Sequence, residues 1–278
     1  MDLGDFKLYP LSDGTFRLDG GAIFGVVPKT IWKKTAAADE LNRVPLGINP
    51  LLIRTGTDNI LVDTGIGGKG DEKFRSIYAI ERTSTIAGSL APFGLTPGDI
   101  TIVINTHLHF DHAGGNTVTG AGGVVKPAFP NARHFVQKGE WEAANATNER
   151  TRASYRNEDF HPVMEAGLFE FIEGDTEVVK GVSVFRTSGH NRDIHLVRIA
   201  SGGSSAVYLS DIVPTVAHLK YPFIMGYDLF PLETLRAKKE ILERAAKERS
   251  LLVFEHDPCS TMGFVRIEDG GPVFEKVL

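Results

Sequence analysis

The chain has 278 residues, 42% of them hydrophobic and 23% charged, an ordinary globular composition and enough length to bury a sizeable core within one large α/β domain. A formal net charge of −5 and the lack of any Lys and Arg run leave no electrostatic footprint for nucleic acid, which argues against a nuclease. Cys259 is the one cysteine, so no intramolecular disulfide can form and any metal must be held by imidazoles and carboxylates.

The start, MDLGDFKLYP, has no basic region followed by an apolar one, and no stretch approaches the ~18 apolar residues of a membrane span. A cytoplasmic protein with no membrane contact is expected. Asn49 to Gly65 (NPLLIRTGTDNILVDTG) reads as two short β-rich runs joined by a polar turn, closing on Asp63. EKFRSIYAIERTSTIAGSL places Phe74, Ile77, Tyr78, Ile86 and Leu90 for one or two helices, and the apolar strand Ile100 to Ile104 follows. Pro127 to Lys180 reads as an inserted segment, with a strand at Ala132 to Gln137, a helix near Gly139 to Thr147 and the polar stretch TNERTRASYRNEDFHP. From Gly181 the first pattern returns as strand, polar break, strand, Gly and Ser turn, strand, closing on Asp211. Pro231 to Arg249 is expected to be a helix with Pro in its first turn and Leu232, Leu235, Leu242 and Ala246 on its apolar face. The strand LLVF then runs into His256. Two halves of meander, helix and strand, each sheet covered by helices on one face, pack most simply as an αββα sandwich of two mixed β-sheets, an α/β fold in a single domain over 1–278.

Residues 105 to 115, NTHLHFDHAGG, crowd His107, His109, Asp111 and His112 directly behind the strand ITIVI, in a chain with 9 histidines. Imidazoles have no special turn chemistry, and three of them beside a carboxylate would repel on protonation unless a cation draws them together. In an extended segment His107 and His109 face one side and can serve one ion; Asp111 and His112 follow after half a turn and suit a second. His190, Asp211 and His256, at other strand ends, complete the set. Asp211, as a carboxylate, can bridge: His107, His109, His190 and Asp211 take the first ion, and Asp111, His112, Asp211 and His256 the second. For His134, His161 and His195 ordinary packing is the expectation, while His218 is expected in a loop bordering the site.

The string HLHFDH with a later His, Asp and His resembles the metallo-β-lactamase superfamily, whose signature is His-x-His-x-Asp-His and whose fold is the αββα sandwich. The stretches DGGAIFGVVPKTIWKK, NILVDTGIG, SDIVPTVAHLKYPFIMGYD and EHDP are similar to its YtnP-like branch, described as quorum-quenching lactonases acting on N-acyl-homoserine lactones. The resemblance implies two divalent ions per chain, zinc foremost, a small-molecule lactone as substrate, and ring opening by a metal-bridging hydroxide whose parent water has its pKa lowered toward ~7. Asp111 is the expected proton shuttle. Asp63 matches a carboxylate that orients a ligand histidine in the family, although a strand-end turn Asp explains it as well. Better-studied lactonases of the group carry Tyr three residues after the bridging Asp, where this chain has Pro214. Phe110, wedged between ligands, is the expected wall of an acyl pocket; Phe24, Trp32, Tyr221 and Phe223 are further candidates that could instead belong to the core or pack a homodimer partner. A phosphotriesterase or general esterase using the same dinuclear site is the alternative.

Overall fold

Period-two alternation sorts the apolar strands between two faces. In the computed structural model, which describes residues 1–278, Leu51, Ile53, Ile60, Val62, Ile102 and Ile104 turn inward, while Leu52, Leu61 and Val103 turn outward beneath the helix Ile86–Leu90. Strands covered on both faces must be apolar on both, which is why these segments read as near-continuous hydrophobic runs.

Two mixed seven-stranded sheets result. In spatial order the first runs Asp2–Leu3, Phe6–Pro10, Leu51–Arg54, Asn59–Val62, Ile102–Ile104, Arg133–Gln137, Phe169–Ile172. The second runs Thr176–Val179, Val182–Arg186, His195–Ser201, Ser204–Tyr208, Leu251–Val253, Met262–Glu268, Gly271–Lys276. A core cluster between them joins Leu8, Leu51 and Ile60 of one sheet to Val197, Tyr208 and Leu251 of the other. The helix Pro231–Glu248 covers the outer face of the second sheet through Ala237, Leu242 and Ala245, giving the αββα sandwich.

The segment 127–180 belongs to both sheets: its strands Arg133–Gln137 and Phe169–Ile172 extend the first in parallel and Thr176–Val179 opens the second. Its polar stretch hid this, because the strands at its two ends are separated by more than one turn of loop and helix. On the helix Pro231–Glu248 the buried face is Thr234, Ala237, Lys238, Leu242 and Ala245, while Leu232 is 79% exposed. Lys238 occupies a core position because its ammonium donates to the carbonyls of His218, Lys220 and Phe223.

Candidate metal centre and its cavity

Asn59–Val62 pairs in parallel with Ile102–Ile104, and Ser204–Tyr208 with Leu251–Val253. Each sheet therefore opens two strand C-termini on one edge, and the residues that follow them are Asp63, the 107–112 segment, Asp211 and His256. His190 arrives from the turn before His195–Ser201, which runs antiparallel to Ser204–Tyr208 and so starts at that same edge. His107 and His109 sit in loop beyond the last strand residue, with ring centroids 4.4 Å apart. Asp111 and His112 lie in the single helical turn Phe110–Ala113.

Ligand atoms of His107, His109, His190 and Asp211 fall within 4.8 Å of one another, and so do those of Asp111, His112 and His256. Asp211 joins the two groups: Oδ2 lies 3.2 Å from His190 Nε2, while Oδ1 lies 3.2 Å from His256 Nε2 and 3.4 Å from His112 Nε2. The seven residues and their division into two groups are those expected from sequence.

A second layer fixes which nitrogen faces the centre. Asp63 accepts from His112 Nδ1 at 2.9 Å, Asp228 from His190 Nδ1 at 2.9 Å, and the Gly47 carbonyl from His256 Nδ1 at 2.9 Å. The Thr106 hydroxyl donates to Asp63 and so accepts from His107 Nδ1 at 3.1 Å. In these four imidazoles Nδ1 makes the outer hydrogen bond and Nε2 turns toward the centre. His190 Nε2 faces His109 Nδ1 at 3.0 Å, and His256 Nε2 faces His112 Nε2 at 3.0 Å. His107 Nε2 and Asp211 Oδ1 are buried with no hydrogen-bond partner. A cation in each group satisfies all of these atoms, so the residues fit the two ions that the donor set suggests.

Burial, then the neighbouring imidazoles, hold His107 and His109 well below the usual imidazole value, so both are neutral donors. Burial opposes the Asp211 carboxylate, yet the imidazoles of His190, His112 and His256 together keep it well below the ordinary carboxylate range. The turn that presents Asp211 is strained, with Ser210 at φ 43°, and Asp63 likewise sits at φ 55°. Gly189, at φ 150°, lets the His190 turn meet the helix Pro231–Glu248, since a Cβ there would lie 2.5 Å from Thr234 Oγ1. Thr234 in turn donates to Asp228.

The centre floors a cavity of about 420 Å³. His109, Asp111, His190, Asp211 and His256 form its base; Leu18, Ile23, Leu46, Phe110, Met225 and Leu229 are apolar wall; Arg150, Thr151 and Ser154 give it a polar side. Phe110 is where the motif suggested, packed against Phe74 and Tyr78 with its amide donated to the Ser154 carbonyl. Phe24, Trp32 and Phe223 do not reach the cavity. They pack behind it as core, Phe24 stacking on Trp32 and on His218, because the segment turns Ile23 rather than Phe24 toward the space. Tyr221 packs with the second sheet's outer cluster under Lys239, away from the site. His218 is also core, held between the Thr215 hydroxyl and the Ile23 carbonyl. Asp228, Thr106, Ser210 and Tyr78 carry no signal of their roles in the sequence, since neither a polar residue in a loop nor an aromatic one in the turn after a helix shows what it will touch.

A model of the metallo-β-lactamase superfamily matches residues 43–256. An N-acyl homoserine lactonase of Bacillus thuringiensis is 32% identical over 219 residues, 74% of this chain and 79% of that protein. A probable metal-dependent hydrolase from Staphylococcus aureus superposes with a TM-score of 0.90 at 33% identity, covering 100% of both chains. An N-acyl homoserine lactone hydrolase with N-hexanoyl-L-homoserine bound at its catalytic metal centre superposes with a TM-score of 0.67 at 26% identity, over 93% of this chain and 95% of that one.

Proposed function

The chain belongs to the metallo-β-lactamase superfamily, and from that premise we propose that it is a dinuclear metal hydrolase that opens lactone rings, N-acyl-homoserine lactones foremost. One observation carries the reading: the double cluster bridged by Asp211 lies at the floor of a cavity whose wall is largely apolar. A polar ring can meet the floor there while an acyl chain follows Leu18, Ile23, Phe110 and Met225. Zinc as the resident ion suits a donor set of imidazoles and carboxylates, and a cytoplasmic setting completes the reading.

When bound, two divalent ions supply Lewis acidity and a water whose pKa is lowered toward ~7. His107, His109 and His190 would hold one ion, Asp111, His112 and His256 the other, and Asp211 both. Asp111 Oδ2 is 3.7 Å from His256 Nε2 and 4.0 Å from His112 Nε2. Its other oxygen remains to take a proton from the attacking water and return it to the ring's leaving oxygen. Pro214 lines the cavity and offers no donor, but the phenols of Tyr78 and Tyr227 line it too. Burial pushes Tyr227 up to about 12 and raises Tyr78, so both stay protonated and can donate to a substrate oxygen. No serine or cysteine nucleophile is required. Cys259, exposed and free, takes no part.

A pH-stat comparison of acyl-homoserine lactones of several chain lengths with simple lactones and a phosphotriester tests the reading. The expected order places a long-chain acyl-homoserine lactone first. A phosphotriester turned over faster than every lactone would replace this function with a phosphotriesterase.

A further inference from the structure

Glu140 lies in the helix Lys138–Asn145, outside the histidine motif, yet it is only 1% exposed and its carboxylate binds the segments that carry one group of imidazoles. Oε1 accepts from the backbone N–H of Leu108 at 2.8 Å, between His107 and His109, and from the Tyr155 hydroxyl at 3.0 Å. Oε2 accepts from Asn191 Nδ2 at 2.8 Å, on the residue after His190. Tyr155 sets its ring edgewise against His109, with centroids 4.7 Å apart at 68°. Position 139, beside it, is a glycine packed against the Asp193 carboxylate, 2.3 Å from where a Cβ would stand. The other group is held by different partners, His112 by Asp63 and His256 by the Gly47 carbonyl.

We propose that Glu140 is a positioning residue that sets the spacing of His107, His109 and His190, and with it the affinity of that ion site alone. The inference rests on the dinuclear reading above. Two loops distant in sequence meet at one buried carboxylate, so its removal leaves buried donors on both without an acceptor and frees the loops to part. The site formed by Asp111, His112 and His256 keeps its own supports, Asp63 and the Gly47 carbonyl.

The test is a Co²⁺ titration followed by visible absorption on chelator-stripped protein, with thermal unfolding of the stripped proteins as the control for folding. Wild-type protein should bind two equivalents. Glu140→Gln should bind one as wild type does and the other at least ~10-fold more weakly, with an altered d–d band for the weakened ion. In a His256→Ala background Glu140→Gln should weaken the remaining ion, and in a His107→Ala background it should not. Asn191→Ala, which keeps Glu140 and removes one arm of the bridge, should weaken the same ion and serves if the Glu140 variants fail to fold. Two equivalents bound at wild-type affinity in these variants, or equal weakening of both, overturns the proposal while the dinuclear reading stands. Fewer than two equivalents in wild-type protein overturns the dinuclear reading and this inference with it.

Discussion

Asp63→Asn probes the centre without touching a ligand. The native residue sits at φ 55°, a conformation that asparagine tolerates better than alanine, so the change tests the carboxylate and not the backbone. Oδ1 accepts from the Thr106 amide at 2.8 Å, and Oδ2 accepts from the Thr106 hydroxyl at 2.8 Å and His112 Nδ1 at 2.9 Å. An amide keeps one of these acceptors. With its oxygen on the Thr106 amide, its NH₂ faces His112 Nδ1, where two donors meet, and the imidazole is driven to the tautomer with its proton on Nε2. That is the atom aimed at Asp211 and His256. A hydrogen bond to a charged partner contributes ~1.5–3 kcal/mol, which at ~1.4 kcal/mol per tenfold is roughly 10- to 100-fold in affinity, the range usual for partners of metal-binding histidines. Competition of stripped protein with a chromophoric chelator for Zn²⁺ measures this directly. One equivalent should weaken by that factor, with kcat reduced and KM little changed. A folded Asp63→Asn protein that binds both equivalents as wild type does refutes the tautomer argument.

Chelation should abolish hydrolysis, zinc should restore it, and the stripped protein should unfold at lower temperature. At free zinc 100 times the dissociation constant, binding stabilises by ~2.7 kcal/mol per site, so an unchanged melting temperature would count against a bound ion, as would unimpaired hydrolysis in His109→Ala. Phe110→Ala should raise KM most for the longest acyl chains and cost ~3 kcal/mol in stability, measured by chain-length kinetics and denaturant unfolding; equal losses for every chain length would remove Phe110 from the acyl wall. Burial pushes His134 down to about 4 and His195 down to about 3. Between these values and the unfolded 6.5 the unfolded chain binds the extra protons, so stability present above pH 6.5 is lost as pH falls through that window. For His195 the loss between pH 7 and pH 5 is on the order of 2 kcal/mol. Urea midpoints of stripped protein at the two pH values should therefore differ less in His195→Leu than in wild type, and an unchanged difference would mean that His195 is protonated in the fold.

The strands were legible because alternation is local. Leu51, Leu52 and Ile53 show their two faces within three letters, and a sandwich covered by helices needs both to be apolar. The place of 127–180 in the sheets is not legible, for the opposite reason. Its membership in the first sheet depends on parallel pairing of Arg133–Gln137 with Ile102–Ile104 and Phe169–Ile172, contacts between stretches separated by whole elements. Parallel pairs leave no hairpin turn to read.

The site divides along the same line. His107, His109, Asp111 and His112 announce themselves because their residue types have few other reasons to be adjacent, and Asp211 and His256 gain meaning from them. The residues that hold these ligands come from unrelated places: Asp228 lies 38 positions from His190, and Glu140 lies 51 from Asn191. A carboxylate in a loop or helix has many innocent uses, so only three-dimensional proximity singles these two out. The cavity wall shows the limit most plainly. Phe110 and Phe24 are the same side chain and belong to the same apolar cluster, but ligands on either side of Phe110 leave its ring no route except toward the centre's edge. Nothing polar pins Phe24, and a one-residue difference in phase puts Ile23 at the cavity and the phenyl ring against Trp32 and His218. An apolar residue can be assigned to a pocket from sequence only where residues of definite chemistry fix both of its neighbours.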